Sequence, residues 1–99
     1  LALKDATDVP LACARACADV IRLSADAAAH GNTNVISDAG VAVMAAYAGL
    51  KSAALNVYIN VGNIKDTEFT ATRVAELEAL LAEAESAVGQ IFGTVRAKL

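Results

Sequence analysis

The sequence of 99 residues contains no tryptophan, one proline, six glycines and only four phenylalanine or tyrosine residues. The scarcity of proline and glycine leaves few points at which a helix must end, which favours long helices. The small number of aromatic residues argues against a thick core of large side chains. Instead, 57% of the residues are hydrophobic and about a quarter of all residues are alanine. Because alanine is the best helix former and buries little area, the composition indicates closely packed helices.

Basic runs and long apolar runs are also missing. The net charge of −3 disfavours a nucleic-acid-binding surface. The longest strictly apolar runs are far shorter than the roughly 20 residues that a membrane span requires, and no signal peptide opens the sequence. We therefore expect a soluble cytoplasmic protein that binds neither nucleic acid nor membrane.

Cysteine and histidine are too few to predict a metal site. Cys13 and Cys17 are four residues apart on a predicted helix, a spacing poorly suited to a disulfide because both side chains project along one rigid face. No further ligand follows them closely, and the single histidine, His30, lies thirteen residues on. The sequence predicts no metal and two small buried thiols.

The length allows one domain, residues 1–99, near the lower limit for burying a core unaided. The chain starts with Leu1-Ala2-Leu3-Lys4-Asp5, without methionine and inside a predicted helical turn. We therefore expect that it is not a complete gene product. Because a core that small gives limited stability, contacts with a partner surface become more important for the fold.

The first helix is predicted over residues 8–30. Asp8 is a suitable N-cap, Pro10 suits the first turn, and Gly31 suits a left-handed C-cap. Residues 1–7 then belong to the end of an earlier helix or to a tail. Residues recurring every three or four positions predict the buried face: Cys13, Cys17, Val20, Ile21, Ser24 and Ala28.

The second helix is predicted over residues 38–60, with Ser37 or Asp38 as its cap. It is apolar almost all round, which is typical of a central helix. One narrow stripe is small in the middle and polar at its ends: Asp38, Ala42, Ala45, Gly49, Ser52, Asn56 and Asn60. Small residues at this spacing allow another backbone to come close, either from a neighbouring helix or from a symmetry mate.

The third helix is predicted over residues 66–97, after a break in which Gly62 is the C-cap. Asp66 is its N-cap, and Arg96 and Lys98 in its last turn complement the helix dipole. At about 50 Å against about 33 Å for the other two, this helix leaves apolar surface for a missing half-domain or a partner subunit. The predicted fold is all-α: three long helices forming part of a helical bundle completed by oligomerisation, at least a dimer through helices 2 and 3.

Two groups of polar residues are candidates for ligand binding. Asp38, beside a loop with Asn32, Asn34 and Ser37, is suited either to orienting a polar substrate or to capping its helix. Asn56 and Asn60 are suited either to binding a ligand edge or to bonding other helices. Eighteen residues separate Asp38 from Asn56, about 27 Å along one helix, so one chain cannot combine them in a small-molecule site. An antiparallel two-fold pairing of helix 2 would bring them together.

Other titratable residues have simpler explanations. His30 is suited to acid–base chemistry near neutral pH, but a histidine in the last turn of a helix more often favours the dipole. Four glutamates of helix 3 suggest either paired carboxylates or a solvated helix face: Glu76, Glu78, Glu83 and Glu85. The sequence contains no phosphate loop, zinc spacing or nucleophile elbow.

The string G-N-x-N-x-x-S-D-A-G-V-A, residues 31–42, carries a family resemblance when it is combined with residues 53–60 and with Lys65-Asp66. It resembles the C-terminal half of the formiminotransferase-cyclodeaminase C-terminal domain family. The resemblance covers nearly the whole chain, from Val9-Pro10-Leu11 to the last helix. Thr33 stands where the family usually has proline, and Tyr58 where a basic residue is common.

The resemblance implies a role in one-carbon tetrahydrofolate metabolism. Members are cyclodeaminases (lyases) or methenyltetrahydrofolate cyclohydrolases (hydrolases), with domains about twice this long and a tetrahydrofolate derivative as substrate. Their acidic residue that is usually assigned as the proton acceptor, and a glycine-rich helix start, lie in the N-terminal half and have no counterpart here. The resemblance therefore does not imply activity of the chain alone, and no catalytic residue is assigned. The candidate substrate-binding residues are Asn32, Asn34, Ser37, Asp38, Asn56 and Asn60. The alternative is a non-catalytic helical oligomerisation module derived from the family.

Overall fold

Three packed α-helices make up the part of the chain that the computed structural model describes, residues 2–99. They are α1 (Ala2–His30), α2 (Ile36–Val61) and α3 (Thr67–Lys98), and no strand occurs within these residues. They form a rod of 50 × 18 × 15 Å, in which α1 and α3 run in one direction and α2 in the other. The predicted all-α fold of three long helices is confirmed, whereas its completion by oligomerisation stays a prediction.

The start of α1 differs from the expectation. The helix begins at Ala2, so residues 2–7 belong to it and the predicted start at Asp8 is wrong. Asp8 lies inside the helix and therefore does not cap it. Its carboxylate instead accepts a hydrogen bond from Nε of Arg73 in α3, at 3.2 Å. The longer α1 has 29 residues against 32 in α3, so the predicted mismatch in helix length is much smaller.

Pro10 lies inside α1 instead of in its first turn. Because proline has no N–H, the carbonyl oxygen of Ala6 lacks its usual helical donor. The side-chain amide of Asn60 in α2 donates to that oxygen at 2.8 Å. Asn60 therefore replaces the hydrogen bond that Pro10 cannot make, and it joins α2 to α1 at this point.

The start of α2 also differs from the prediction. Its first residue is Ile36 and its N-cap is Val35, which makes no side-chain cap bond. Capping by Ser37 or Asp38 is therefore wrong. The N–H groups of Asp38 and Ala39 donate to the carbonyl of Val35 instead, at 3.1 and 3.3 Å. Asp38 is left in the first helical turn, where a negative charge is favourable.

Gly31 ends α1 without the predicted left-handed cap, since no glycine among residues 2–99 has a positive φ. Its N–H donates to the carbonyl of Ala27 at 2.7 Å, which continues the helical pattern by one residue. A Cβ at this position would lie 2.5 Å from that same oxygen. Glycine is needed here because the backbone passes too close to this carbonyl for a side chain to fit.

The break between α2 and α3 follows the sequence prediction. Gly62 is the C-cap of α2, and its N–H donates to the carbonyl of Tyr58 at 3.3 Å. Asp66 caps α3, since its Oδ1 accepts a hydrogen bond from the N–H of Phe69 at 3.0 Å. Both caps were predictable because each involves residues no more than four positions apart.

The last turn of α3 contains Arg96 and Lys98, as predicted. Lys98 does more than complement the dipole of its own helix. Its Nζ donates to the carbonyls of Ala28 and Ala29 at 2.8 and 2.9 Å, so it also satisfies the C-terminal end of α1.

The buried face of α1 is rotated relative to the predicted face. Ile21, Ser24 and Ala28 are buried as expected, but Cys13 and Val20 are exposed. α1 therefore has a line of apolar side chains that are exposed to solvent. The largest completely buried side chains of the core include Leu11, Ile21, Ile36, Leu50, Val57 and Leu77.

α2 is not covered all round by α1 and α3. Val41, Leu55 and Ile59 are each about two-thirds exposed, so the helix is central to the rod on one side only. By length and composition alone, α2 is the one helix within residues 2–99 that is apolar enough to cross a membrane. The core helix of a soluble protein satisfies the same criterion, so this is weak evidence.

A ladder of ion pairs fixes α1 beside α3. Lys4 bonds Asp66 at 2.8 Å, Arg15 bonds Glu76 through Nη2 at 2.7 Å, and Arg22 bonds Glu83 at 2.7 Å. The two arginines are seven residues apart, as are the two glutamates, so one register of the parallel helices satisfies both. Glu76 and Glu83 are therefore paired, and only Glu78 and Glu85 fit the predicted solvated face.

Hydrogen bonds from Arg15 and Arg22 hold the pKa values of Glu76 and Glu83 below their usual value. Because the folded pKa is the lower one, both pairs stabilise the fold above the unfolded pKa of about 4.3 and lose this effect as pH falls through the folded value. We expect Glu76→Gln/Glu83→Gln to lower the thermal midpoint by a few degrees at pH 7, with the difference shrinking below about pH 4. Circular dichroism across pH measures it.

The matched control is Glu78→Gln/Glu85→Gln, which removes two exposed glutamates of the same helix that make no ion pair within residues 2–99. Its midpoint should follow the unmodified chain at every pH. Equal effects of the two double variants would show that the ladder does not stabilise the fold.

A second prediction concerns Pro10 and Asn60. Asn60→Ala should cost about 1 kcal/mol of unfolding free energy, because it removes the donor to the carbonyl of Ala6. In a Pro10→Ala background the new N–H can bond that carbonyl, so Asn60→Ala should cost less than half as much there. Urea denaturation of the unmodified chain, the two single variants and the double variant gives the coupling energy. Equal costs of Asn60→Ala in both backgrounds would show that the amide of Asn60 does not replace the N–H that Pro10 lacks.

Candidate functional site

A groove between α1 and α2 is the main concave feature near the candidate residues. It has a volume of about 490 Å³ and contains an exposed amide, a hydroxyl and a thiol. We name it the Gly49 groove. Its walls are Ala6, Val9, Pro10 and Cys13 from α1, and Gly49, Ser52, Ala53 and Asn56 from α2.

The small size of Gly49 determines the shape of this groove. A Cβ at Gly49 would lie 3.0 Å from Sγ of Cys17, so α1 and α2 approach more closely here than larger residues would allow. The predicted close approach along the small-residue stripe is thus present at Gly49, between α1 and α2. Elsewhere the stripe remains exposed, at Ala42, Ala45 and Ser52.

The polar groups of the groove differ in how far they are already engaged. The hydroxyl of Ser52 donates to the carbonyl of Ala48 at 2.8 Å. The amide of Asn56 is exposed and makes no hydrogen bond within residues 2–99, so its donor and acceptor are both open to a ligand. Asn56 is the polar group of this groove best placed to recognise one.

The two thiols are unequal. Cys13 is exposed at the wall of the groove, contrary to the expected burial, whereas Cys17 is partly buried against Gly49. Burial raises the pKa of the Cys17 thiol, and the neighbouring Cys13 raises it further. Cys17 is therefore held as a neutral thiol, which does not suit a nucleophile.

The six candidate substrate-binding residues do not form one site in the chain. Asn32, Asn34, Ser37 and Asp38 lie at the α1–α2 connection, and Asn56 and Asn60 lie near the other end of α2. Eighteen residues of continuous helix separate Asp38 from Asn56, which is about 27 Å. Their role in ligand binding stays a prediction.

Each end has its own local bonding. The side chain of Asn32 accepts a hydrogen bond from the N–H of Asn34 at 2.9 Å, which shapes the connection. Asp38 is exposed, and its carboxylate makes no hydrogen bond or ion pair within residues 2–99. His30 is exposed, with Nδ1 3.2 Å from the carbonyl of Asp26. Asp38 is thus the carboxylate at this end of α2 that is free to bind a ligand or another polar group.

A second groove of about 370 Å³ lies beside the connection, and sequence reasoning missed it. It is almost entirely apolar and lies between the start of α2 and the end of α3. Gly40 packs closely there, since a Cβ would lie 3.2 Å from Val95. The signal available in the sequence was the apolar line of α3, which includes Phe92 and Leu99. The groove is lined by Ser37, Gly40, Val41, Met44, Phe92, Val95, Arg96 and Leu99.

Metal-ligating side chains do not cluster in the described part of the chain. No group of three or more histidine, cysteine, aspartate or glutamate residues among residues 2–99 is arranged to hold a metal ion. The groups present at the two ends of α2 are amides, hydroxyls and one free carboxylate, which suit hydrogen bonding and proton transfer.

Comparison with known proteins gives the same family as the resemblance found in the sequence. The family model described as formiminotransferase-cyclodeaminase matches residues 1–79. The chain belongs to this formiminotransferase-cyclodeaminase family. A family relative, methenyltetrahydrofolate cyclohydrolase of Methylorubrum extorquens, is 58% identical over 98 residues, which are 99% of this chain and 47% of the relative. The present chain thus spans about half the length of the curated relative that it matches.

The close approach that shapes the Gly49 groove gives a third prediction. Gly49→Ala should gain little stability, because crowding against Cys17 offsets the better helix propensity of alanine, worth up to about 1 kcal/mol. In a Cys17→Ala background the gain should appear in full. Urea denaturation of the four proteins measures it, and identical effects of Gly49→Ala in both backgrounds would show that the two residues do not touch.

Proposed function

We propose that the chain acts in one-carbon metabolism on a tetrahydrofolate derivative, by the cyclohydrolase reaction that interconverts the methenyl and formyl forms. The observation that carries this proposal is the 58% identity to a methenyltetrahydrofolate cyclohydrolase, which extends over 98 of the 99 residues. Family membership alone would leave cyclodeaminase chemistry equally favoured. The name of the relative favours the cyclohydrolase reaction.

The chemistry of that reaction sets requirements that the chain meets in part. Water adds to the methenyl carbon, a carbon–nitrogen bond opens, and protons move at the nitrogen. The ligand is flat and anionic, so it needs a cleft with a few polar contacts. The Gly49 groove, at about 490 Å³, is of the usual size for a small-molecule site. We propose that the open amide of Asn56 binds the edge of the pterin ring.

The candidate residues at the connection have a complementary role in this proposal. Because about 27 Å separates Asp38 from Asn56 in one chain, we propose that this end of α2 contacts the ligand held by a second copy. There, Asn32, Asn34 and Ser37 contact polar groups of the folate, and Asp38 supplies the free carboxylate for proton transfer near nitrogen. Asn60 contributes indirectly, because its amide is bonded to Ala6 and fixes α2 beside the groove.

We further propose that the chain works in the cytoplasm as a homo-oligomer, at least a dimer. The support for an oligomer is the amount of apolar side chain exposed on every helix. Leu23 on α1 is 72% exposed, Val41 on α2 is 68% exposed and Phe92 on α3 is 55% exposed. Single exposed apolar residues are ordinary, but a continuous line of them on neighbouring helices is typical of an interface.

The test is an assay of the purified chain with 5,10-methenyltetrahydrofolate, following loss of the methenyl chromophore above the spontaneous rate. Asn56→Ala should weaken substrate binding about tenfold, because one or two hydrogen bonds to the ligand are lost. Its thermal midpoint should not change, since the amide has no bond within the chain. The matched control is Asn63→Ala, which removes an exposed amide outside the groove and should leave binding unchanged.

The competing function is a non-catalytic helical oligomerisation module. An assembled chain that neither converts the methenyl form nor binds any reduced folate in equilibrium dialysis would establish that function and refute the enzyme. Binding without conversion would place the substrate contacts in this chain and the proton-transfer group elsewhere.

A further inference from the structure

The two cysteines of the chain lie next to each other on α1, at the wall of the Gly49 groove. They are one helical turn apart within a continuous helix, and both are free thiols. Cys13 is exposed and lines the groove, whereas Cys17 is partly buried against Gly49 on α2. The proposed reaction uses neither thiol. A pair of polarizable sulfur atoms beside a groove is therefore left without a role.

The distance between the two thiols determines what can join them. Side chains four positions apart on a helix have Cβ atoms about 5–6 Å apart. A disulfide requires a Cβ–Cβ distance of about 3.5–4.5 Å, so direct oxidation of the pair would distort α1. One additional atom between the two sulfurs spans the larger distance without moving the helix. The pair is therefore suited to binding a single thiophilic atom.

A divalent metal ion fits this pair poorly. Zinc usually takes at least three ligands from the protein, and its sulfur ligands are thiolates. Among residues 2–99, no third histidine, cysteine or carboxylate joins the two cysteines in an arrangement that could hold a metal. Burial also raises the pKa of the Cys17 thiol, and Cys13 raises it further, which keeps a proton on that sulfur. The bridging atom must therefore need only two sulfur ligands and react with neutral thiols.

Trivalent arsenic with one organic substituent meets both requirements. In such an arsenical, R–As=O, the arsenic condenses with two thiols. Two As–S bonds form, the As=O bond and both S–H bonds break, and the oxygen leaves as water with the two protons. No electrons are transferred, since arsenic remains trivalent, and no thiolate has to be present beforehand. The substituent R occupies the third bond of arsenic.

We propose that Cys13 and Cys17 form a dithiol site for a monosubstituted trivalent arsenical, with the organic substituent lying in the Gly49 groove. The groove has room for the substituent at about 490 Å³, and its lining includes the apolar side chains of Val9 and Pro10. An aromatic or alkyl group is removed from water there. The first As–S bond forms at the exposed Cys13. The second then forms within the molecule, where the effective concentration of Cys17 is high.

Intact-mass spectrometry with phenylarsine oxide tests the site. One equivalent should add a single phenylarsenic group to the chain, with loss of two thiol hydrogens. N-ethylmaleimide should then label neither cysteine, although it labels Cys13 in the untreated chain. Cys13→Ser and Cys17→Ser should each bind the reagent about 100-fold more weakly, because the second, intramolecular As–S bond is missing. Binding by Cys17→Ser as tight as that of the unmodified chain would overturn the dithiol site.

The matched control keeps two thiols but separates them. Cys17→Ala/Ala82→Cys has its second thiol at an exposed position on α3. It should bind phenylarsine oxide as weakly as the single-cysteine variants, and excess glutathione should remove the reagent from it. The unmodified chain should release the reagent only to a competing dithiol such as dithiothreitol. Equally fast release to glutathione from both proteins would show that arsenic does not bridge the two cysteines.

A pair of valine variants tests the position of the organic substituent. Val9→Ser should weaken binding of phenylarsine oxide about fivefold, because part of an apolar contact is lost. Binding of arsenite, which has no organic substituent, should not change. Val20→Ser alters an exposed valine of the same helix outside the groove and should affect neither reagent. Equal effects of the two variants on phenylarsine oxide would place the substituent outside the groove.

The adduct also bears on the proposed function, on which this last step rests. A phenyl group in the groove excludes the pterin ring that we propose Asn56 binds. One equivalent of phenylarsine oxide should therefore abolish conversion of methenyltetrahydrofolate by the unmodified chain, and Cys17→Ser should need about 100-fold more reagent. A chain that forms the adduct without any folate activity would refute only the proposed function. An active chain that forms no adduct would refute only the arsenical site.

Discussion

The close contact of α1 with α2 is the constraint on which most other features depend. A Cβ at Gly49 would lie only 3.0 Å from Sγ of Cys17, and Asn60 joins the same two helices by bonding the carbonyl that Pro10 leaves free. These two contacts place the helices side by side with a groove between them. They also turn the apolar line of α1 outward, next to the exposed side of α2. The groove and the exposed surface therefore follow from the same contact.

The parts of the fold that were predictable from the sequence depend on short-range signals. Helical periodicity and the scarcity of breakers gave three helices, and Asp66 and Gly62 were recognised as caps because their bonds join residues at most four positions apart. The start of α1 was mispredicted for the opposite reason. Pro10 is tolerated inside the helix because of Asn60, which lies fifty residues away in the sequence and gives no local sign of this role.

The candidate site was predictable in its residue types but not in its arrangement. The motif identified the polar residues at both ends of α2, and helix geometry alone showed that they are far apart. Sequence could not show that Asn60 is already bonded while Asn56 is open, since both are asparagines one turn apart. It could not show the second groove either, because Ser37 and Arg96 come together only through packing of α2 on α3.

Lys98 links two regions that the sequence separates by seventy residues. Its ammonium group holds the last carbonyls of α1, immediately before the connection that contains Asn32 and Asn34. If the final turn of α3 frays, those carbonyls lose their donor and the end of α1 loosens with it. The order of the α1–α2 connection therefore depends on the C-terminal end of α3, although the connection is not part of that helix.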